Sequence, residues 1–257
     1  MKNRLLKKRV SGIALTVSLC LLFQMPASAM IEISEGPGAI QDAMEAQNAA
    51  AAGRQLDPNK PMIAFTYDDG PCTGPGNRII DCFLKYNQRC TFFLVGNRIS
   101  SRAEEVKRMA DNGFEIGNHS WDHKYYTGMS AGQIRKETER CNEAIRTYAG
   151  VEPRLARTPG GSRGSSIISA VNMPVILWNI DTLDWKTRNV ESNVNAVLGK
   201  VKDGDVILMH ELYFASAEAT EILVPKLIEQ GFQLVTVSEL AQYKGKDLKA
   251  GTCTFSF

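Results

Sequence analysis

The sequence predicts an α/β fold whose parallel strands curl into an incomplete barrel of about seven strands. Three observations carry this. From Pro61 onward, short apolar runs alternate with helical stretches, the pattern of a parallel sheet with crossover helices. Six or seven such units in the available length favour a barrel over a flat open sheet. Chemistry-bearing residues stand where the apolar runs end: Asp68 and Asp69, His119, Asp181 and His210. Catalytic groups gather in just this way at the C-terminal rim of a barrel.

The N-terminus reads as an export leader. A basic start, "MKNRLLKKR", precedes the apolar "VSGIALTVSLCLLF" and then "QMPASA", a small-residue cleavage site ending at Ala29. The apolar stretch is short for a membrane span and is followed by Pro26. Cleavage and release are therefore expected, without stable membrane insertion and with a secreted or cell-wall-associated location. Cys20 is an unsuitable lipid-attachment site, because the bulky Leu19 precedes it. Removing residues 1–29 takes five basic and no acidic residues, moving the formal charge from +2 to −3. No basic excess remains that would argue for nucleic acid. The 228 residues left suffice for one sizeable core, and a monomer is the expected state.

Residues 30–60 are rich in Ala, Gln and Gly, and "AMEAQNAAAAG" reads as a short helix before the linker "LDPNKP". Residues 61–257 form the main domain. Its strand candidates are "MIAFTY", "CTFFLVG", "FEIGN", "PVILWNI", "DVILMH" and "FQLVTV". Its clearest helices are "NRIIDCFLKYN", "SRAEEVKRMADNG", "SAGQIRKETERCNEAIRTYAG", "VESNVNAVLGKV" and "EATEILVPKLIEQG". Cys72, Cys82, Cys90, Cys141 and Cys253 follow the leader, an odd number that leaves at least one without an intrachain partner. None forms a C-x-x-C pair, which disfavours a structural zinc site.

Two adjacent carboxylates at a strand end raise the central chemical question. Asp68 and Asp69 in "MIAFTYDDGP" repel each other unless a cation or a shared proton gives them separate roles. A polar Asp-Gly-Pro turn is the plain alternative. The chain has three histidines, and two of them, His119 and His123, lie in "NHSWDH". If that segment turns helically, both imidazoles share one face, as joint metal ligation requires. One carboxylate with two histidines leaves positions open for water and substrate, which suits a catalytic ion. One aspartate can then bind the cation while the cation's charge keeps the other ionised as a base.

Five ordered motifs give the chain a resemblance to the polysaccharide deacetylases with the NodB-homology fold (carbohydrate esterase family 4). "TYDDGP" resembles the first motif, "HSWDH" the second, "RTPGGS" the third, "DTLDW" the fourth and "LMH" the fifth, over about residues 61–242. The resemblance implies a distorted, incomplete barrel of that family's type. Asp69, His119 and His123 would bind one divalent metal, most often zinc, with cobalt, nickel or manganese as alternatives. Asp68 would be the general base and Arg157 its orienting partner. His210 would be the general acid, paired with Asp184. Trp185 and Leu208 would wall the pocket for the acetyl methyl, and the backbone N–H at Gly160 would meet the oxyanion. The implied reaction removes N-acetyl groups from N-acetylglucosamine units of an exported polysaccharide. Peptidoglycan comes first, chitin-type oligosaccharides second and acetylxylan third.

One departure stands out. Many relatives carry an aromatic residue in the third motif where this chain has Gly160 and Gly161. Arg163, Tyr125 and Tyr126 are candidates for the sugar groove or for plain surface. Cys72 is expected as a half-cystine, and Glu211 has no assigned role. A two-carboxylate glycoside hydrolase would leave both motif histidines idle. An inactive carbohydrate-binding descendant would be expected to lack a ligand or the base. A two-histidine iron oxygenase would not need Asp68, Arg157 and His210 as an acid–base set.

Overall fold

The computed structural model describes residues 54–257. The leader assigned to residues 1–29, with Cys20, and the short helix expected over residues 43–53 lie outside them. Among the described residues the strands, in chain order, are β1 Met62–Gly70, β2 Thr91–Leu94, β3 Glu115–Asn118, β4 Val175–Ile176, β5 Ile180–Asp181, β6 Val206–His210, β7 Gln233–Leu234 and β8 Cys253–Thr254. The α-helices are α1 Thr73–Lys85, α2 Gly96–Ile99, α3 Ala103–Asp111, α4 Ala131–Ala149, α5 Ser165–Val171, α6 Asp184–Thr187, α7 Val190–Val197, α8 Phe214–Glu229 and α9 Val237–Tyr243.

Every ladder is parallel. The main sheet runs β3-β2-β1-β6-β5, with β7 paired to the start of β1. Ala156 bridges Asn118 at the end of β3 to Val175 in β4, and β4 pairs with β8. Past β3 the ring is thus carried by single-residue bridges, so the barrel is curved but incomplete.

Both faces of β1 are covered, which explains its near-continuous apolar run. Ile63, Phe65 and Tyr67 point outward into the main core with Phe83, Phe92 and Phe114. Those rings meet edge-on or offset at 5.6–6.3 Å. Met62 and Ala64 point inward, with Phe93, Leu155, Ile176 and Val206. On the same inward face Thr66 and Asp68 are the next residues along, and this alternation delivers polar groups to the rim. α4 opens with a Ser130–Gln133 capping box and closes on Gly150 at φ 71°, two strong local end signals.

Sequence reading and structure part at several elements. "PVILWNI" is two short strands, because Arg157 takes the carbonyls of Ile176 and Leu177 at 2.8 and 2.9 Å and breaks the ladder there. "FQLVTV" yields only β7, because the Thr236 side chain instead caps α9 in a box with Glu239. β8 and the short helices α2, α5, α6 and α9 carry no clear periodicity in the sequence. Residues 54–60, placed in the linker, pack on the domain. Arg54 donates to the Leu234 carbonyl and pairs with Glu239, and Leu56 joins the inner cluster. All five described cysteines are unpaired, so Cys72 is not the half-cystine expected. Among the described residues no helix is long and apolar enough to cross a membrane.

Beneath the rim, the fully buried Glu211 carboxyl is clamped between two glycines. A Cβ at Gly70 would stand 1.7 Å from its Oε2 and one at Gly76 2.2 Å from its Oε1. Its Oε1 accepts the Cys72 N–H at 2.7 Å, so the carboxyl cannot swing away. Gly70→Ala is expected to cost about 1–3 kcal/mol by overpacking, read as a lower Tm. Glu211→Ala in the same chain should recover part of that loss. An unchanged Tm for Gly70→Ala would contradict the clamp.

Candidate active site

The end of β1 explains how two neighbouring aspartates reach one cavity. On a regular strand adjacent side chains point to opposite faces. Here Asp68 aligns with Phe93 and Gly70 with Leu94, so Asp69 is an extra residue in the β1–β2 register. Its φ of 72° marks a bulge, which re-aims the side chain. Asp68 and Asp69 therefore line the same cavity of about 360 Å³, together with His119, His123 and His210. On the other side of β1, Asp68 is the direct register partner of His210 in β6.

The His119–His123 segment is not helical, so the condition under which its spacing alone would align the imidazoles is not met. Ser120 and His123 both adopt positive φ, 67° and 60°. Asn118 accepts the Ser120 N–H at 2.8 Å and Ser120 accepts the His123 N–H at 2.9 Å. These side-chain bonds replace a helical ladder. Asn118 is itself anchored to α4 through the Thr138 carbonyl and Asn142. The two imidazoles still converge, with ring centroids 4.9 Å apart.

The Asp69, His119 and His123 ligand atoms suit one cation. Asp69 Oδ1 lies 3.1 Å from His123 Nε2 and 3.5 Å from His119 Nε2. A tetrahedral ion with ligand bonds of about 2.1 Å sets its ligand atoms about 3.4 Å apart. The same Oδ1 is buried without a hydrogen-bond partner, a costly state that a cation would relieve. His119 Nδ1 donates to the Arg157 carbonyl at 2.7 Å, which leaves Nε2 free to face the site. Burial works to raise the Asp69 carboxyl, but the two histidines outweigh it and hold it well below the usual range. Burial and the neighbouring His119 push His123 down, which favours its neutral, ligating form.

Asp68 is held by Arg157, whose side chain is fully buried. Its Nη1 donates to Asp68 Oδ1 at 2.8 Å and to Thr66 Oγ1 at 2.7 Å. The guanidinium also lies 4.3 Å from the Phe93 ring centroid. Burial lowers the Arg157 pKa, and the Asp68 charge opposes that shift.

On the neighbouring strand, His210 Nδ1 donates to Asp184 Oδ1 at 2.7 Å. The fully buried Asp184 also accepts from His210 N at 2.7 Å, Trp185 N at 2.9 Å and Ser216 Oγ at 2.5 Å. Burial pulls the His210 pKa down, but the Asp184 hydrogen bond and charge outweigh it, so the ring stays protonated to higher pH than an ordinary histidine. Trp185, Leu208 and Gly160 line the cavity as expected on sequence grounds, joined by Tyr125, Trp178, Asp181 and Tyr213. Leu208 is buried and Trp185 is 47% exposed at the mouth. A Cβ at Gly160 would overlap Tyr125 at 2.1 Å, so the Tyr125 ring occupies the space beside the missing third-motif aromatic. Tyr126, by contrast, is buried in a satellite core cluster away from the cavity.

Sequence reasoning missed Ser216, which precedes the predicted start of α8, and Thr66, a plain strand residue until Arg157 is seen against it. Glu211 also emerges only in three dimensions. Burial raises its carboxyl to about 8, and its neighbour Cys72 supplies a backbone N–H rather than a bridge.

Such a set can activate water at a cation, hold a base on one side and offer a proton on the other, the makings of a hydrolase. The chain belongs to the polysaccharide deacetylase family, whose model matches residues 55–173. It is 40% identical over 189 residues to the peptidoglycan-N-acetylmuramic acid deacetylase PdaC of Bacillus subtilis, covering 74% of this chain but only 40% of that protein's length. It is 32% identical over 194 residues to a peptidoglycan-N-acetylglucosamine deacetylase of Bacillus cereus, covering 72% of this chain and 91% of that one. The structure of a family 4 acetyl xylan esterase from Clostridium thermocellum, in complex with a cobalt ion, superposes with a TM-score of 0.73 at 33% identity, covering 76% of this chain and 98% of the other.

The Asp184–His210 pair has a direct spectroscopic test. Because Asp184 raises the His210 pKa, Asp184→Asn should lower it, and the ring should lose its proton at lower pH than in the parent. An NMR pH titration of the His210 ring reads the shift. An unchanged midpoint would show that Asp184 does not set the protonation of His210.

Proposed function

We propose that the protein is a metal-dependent deacetylase that hydrolyses N-acetyl groups on N-acetylglucosamine units of an extracellular polysaccharide, with peptidoglycan as the first candidate. The observation that carries this is the pairing of Asp68 and His210 on neighbouring strands at one cavity, beside the Asp69–His119–His123 cluster. Two relatives named as peptidoglycan deacetylases support the polymer, and the leader-like residues 1–29 support export. Chitin-type oligosaccharides and acetylxylan follow as substrates, the latter because of the similar esterase structure.

Asp69, His119 and His123 would hold the divalent ion, with zinc first. When bound, such an ion polarises a carbonyl and brings the pKa of water from about 15.7 to about 7. Asp68, oriented by Arg157, takes the proton of the attacking water as the new C–O bond forms. The backbone N–H at Gly160 faces the developing oxyanion. His210 then gives its proton to the amide nitrogen as the C–N bond breaks, releasing acetate and a free amine. Leu208 and Trp185 enclose the acetyl methyl. The base and the acid stand on opposite sides of the scissile bond, each beside its own charged partner.

The test is acetate release from N-acetylated chitooligosaccharides and from peptidoglycan, using protein stripped with chelator and then supplied with zinc, cobalt or buffer alone. Acetate that appears only with metal is the expected result. Folded protein that releases none under any metal would overturn the proposal, and acetate release indifferent to chelator would remove the metal from it.

A further inference from the structure

A second cavity opens beside the first. It measures about 310 Å³ and is lined by Gly160, Gly161, Arg163, Leu177, Trp178 and Phe255. Gly160 and Trp178 belong to both cavities, so the two adjoin at these residues. None of the five motifs reaches Arg163 or Phe255.

The wall is built in place rather than left loose. Phe255 lies on the C-terminal segment, which is fixed by the β8–β4 ladder and by Leu177 N–H donating to Thr254 O at 2.8 Å. Beyond it, Phe257 N–H donates to Gly204 O at 2.9 Å. Gly161 sits at φ 67° against Trp178, where a Cβ would stand 3.1 Å from the ring. A side chain at 161 would press on the indole and intrude on the cavity. Phe255 keeps 37% of its surface exposed, and the Arg163 guanidinium lies 5.5 Å from its ring centroid. Among the described residues no carboxylate stands within 4.0 Å of Arg163, so this cation is uncommitted.

Charge divides the two cavities. Three carboxylates, Asp68, Asp69 and Asp181, line the first. The second has a guanidinium and no carboxylate. A neutral acetylated sugar suits the first and an anionic one the second. Aromatic rings pack on the apolar C–H face of a pyranose, and a guanidinium matches a carboxylate with two parallel hydrogen bonds.

We propose that the Arg163–Trp178–Phe255 cavity is a subsite for a carboxylate-bearing sugar next to the sugar being deacetylated. This rests on the deacetylase function proposed above and deepens it, since it selects acidic over neutral glycans. The carboxylate can come from the lactyl ether of a muramic acid whose peptide has been removed, or from a uronic acid.

Calorimetric titration of the full chain with three disaccharides tests it: N-acetylglucosamine joined to N-acetylmuramic acid, the same compound with its lactyl carboxylate converted to the methyl amide, and N-acetylglucosamine joined to glucuronic acid. The acid should bind about fivefold more tightly than its amide, and the ratio should fall to near one in Arg163→Gln. The uronic acid arm shows which carboxylate position fits. Phe255→Ala should weaken acid and amide alike. A parent protein that binds neither carboxylate-bearing disaccharide more tightly than the amide, or a preference that survives Arg163→Gln, overturns the subsite. Acetate release measured in parallel keeps the two proposals apart. Absence of acetate with an intact Arg163-dependent preference contradicts the chemistry alone, and acetate without the preference contradicts the subsite alone.

Discussion

Arg157 carries a guanidinium with no exposed surface beside the two single-residue bridges that link β3 to β4. Its Nε and Nη2 donate to the carbonyls of Ile176 and Leu177, its Nη1 donates to Thr66 and Asp68, and its own carbonyl accepts a hydrogen bond from His119 Nδ1. A single residue thus stitches β1 to the 175–181 segment, aims the proposed base and fixes the tautomer of a proposed metal ligand. Breaking such a buried pair by removing one partner costs about 3–5 kcal/mol, because the other charge is left unpaired. The incomplete barrel and the chemistry at its rim therefore depend on the same group.

The second constraint is the bulge at Asp69. Without the extra residue, Asp68 and Asp69 would face opposite sides of β1, one toward the rim and one into the outer aromatic core. With it, they share a cavity: Arg157 holds Asp68 and His123 stands against Asp69, while His119 Nε2 lies 3.5 Å from each carboxylate. The strained conformations at Asp69, Ser120, His123 and Leu183 all have φ of 55–72°. They cluster around this cavity, where backbone strain is most often kept for function.

Much of this was legible in the sequence. Strand-end placement brought Asp68, Asp69, His119 and His210 together on paper, because a parallel barrel sends every strand's C-terminal end to one rim. Arg157, Asp184, Trp185, Leu208 and Gly160 came from ordered motifs rather than from any physical signal, and the structure sets all five at or beside the cavity. The helical turn that would align His119 and His123 by spacing does not form, since the polar side chains of Asn118 and Ser120 capture the backbone first. Ser216 and Glu211 were invisible because their partners, Asp184 and the glycines at 70 and 76, are distant in sequence. Tyr125 beside Gly160 shows the same limit. The loss of one aromatic was readable, but not that a neighbouring loop fills the adjoining space.

The central claim is that the bulge splits two adjacent aspartates into a ligand and a base, and their asparagine variants separate the two roles. Metal content after dialysis against dilute zinc, measured beside acetate release, is the direct experiment. Asp68→Asn should keep stoichiometric metal and lose turnover, whereas Asp69→Asn should lose the metal. If both variants lose metal to the same degree, or if Asp68→Asn turns over at near the parental rate, the division of labour is wrong.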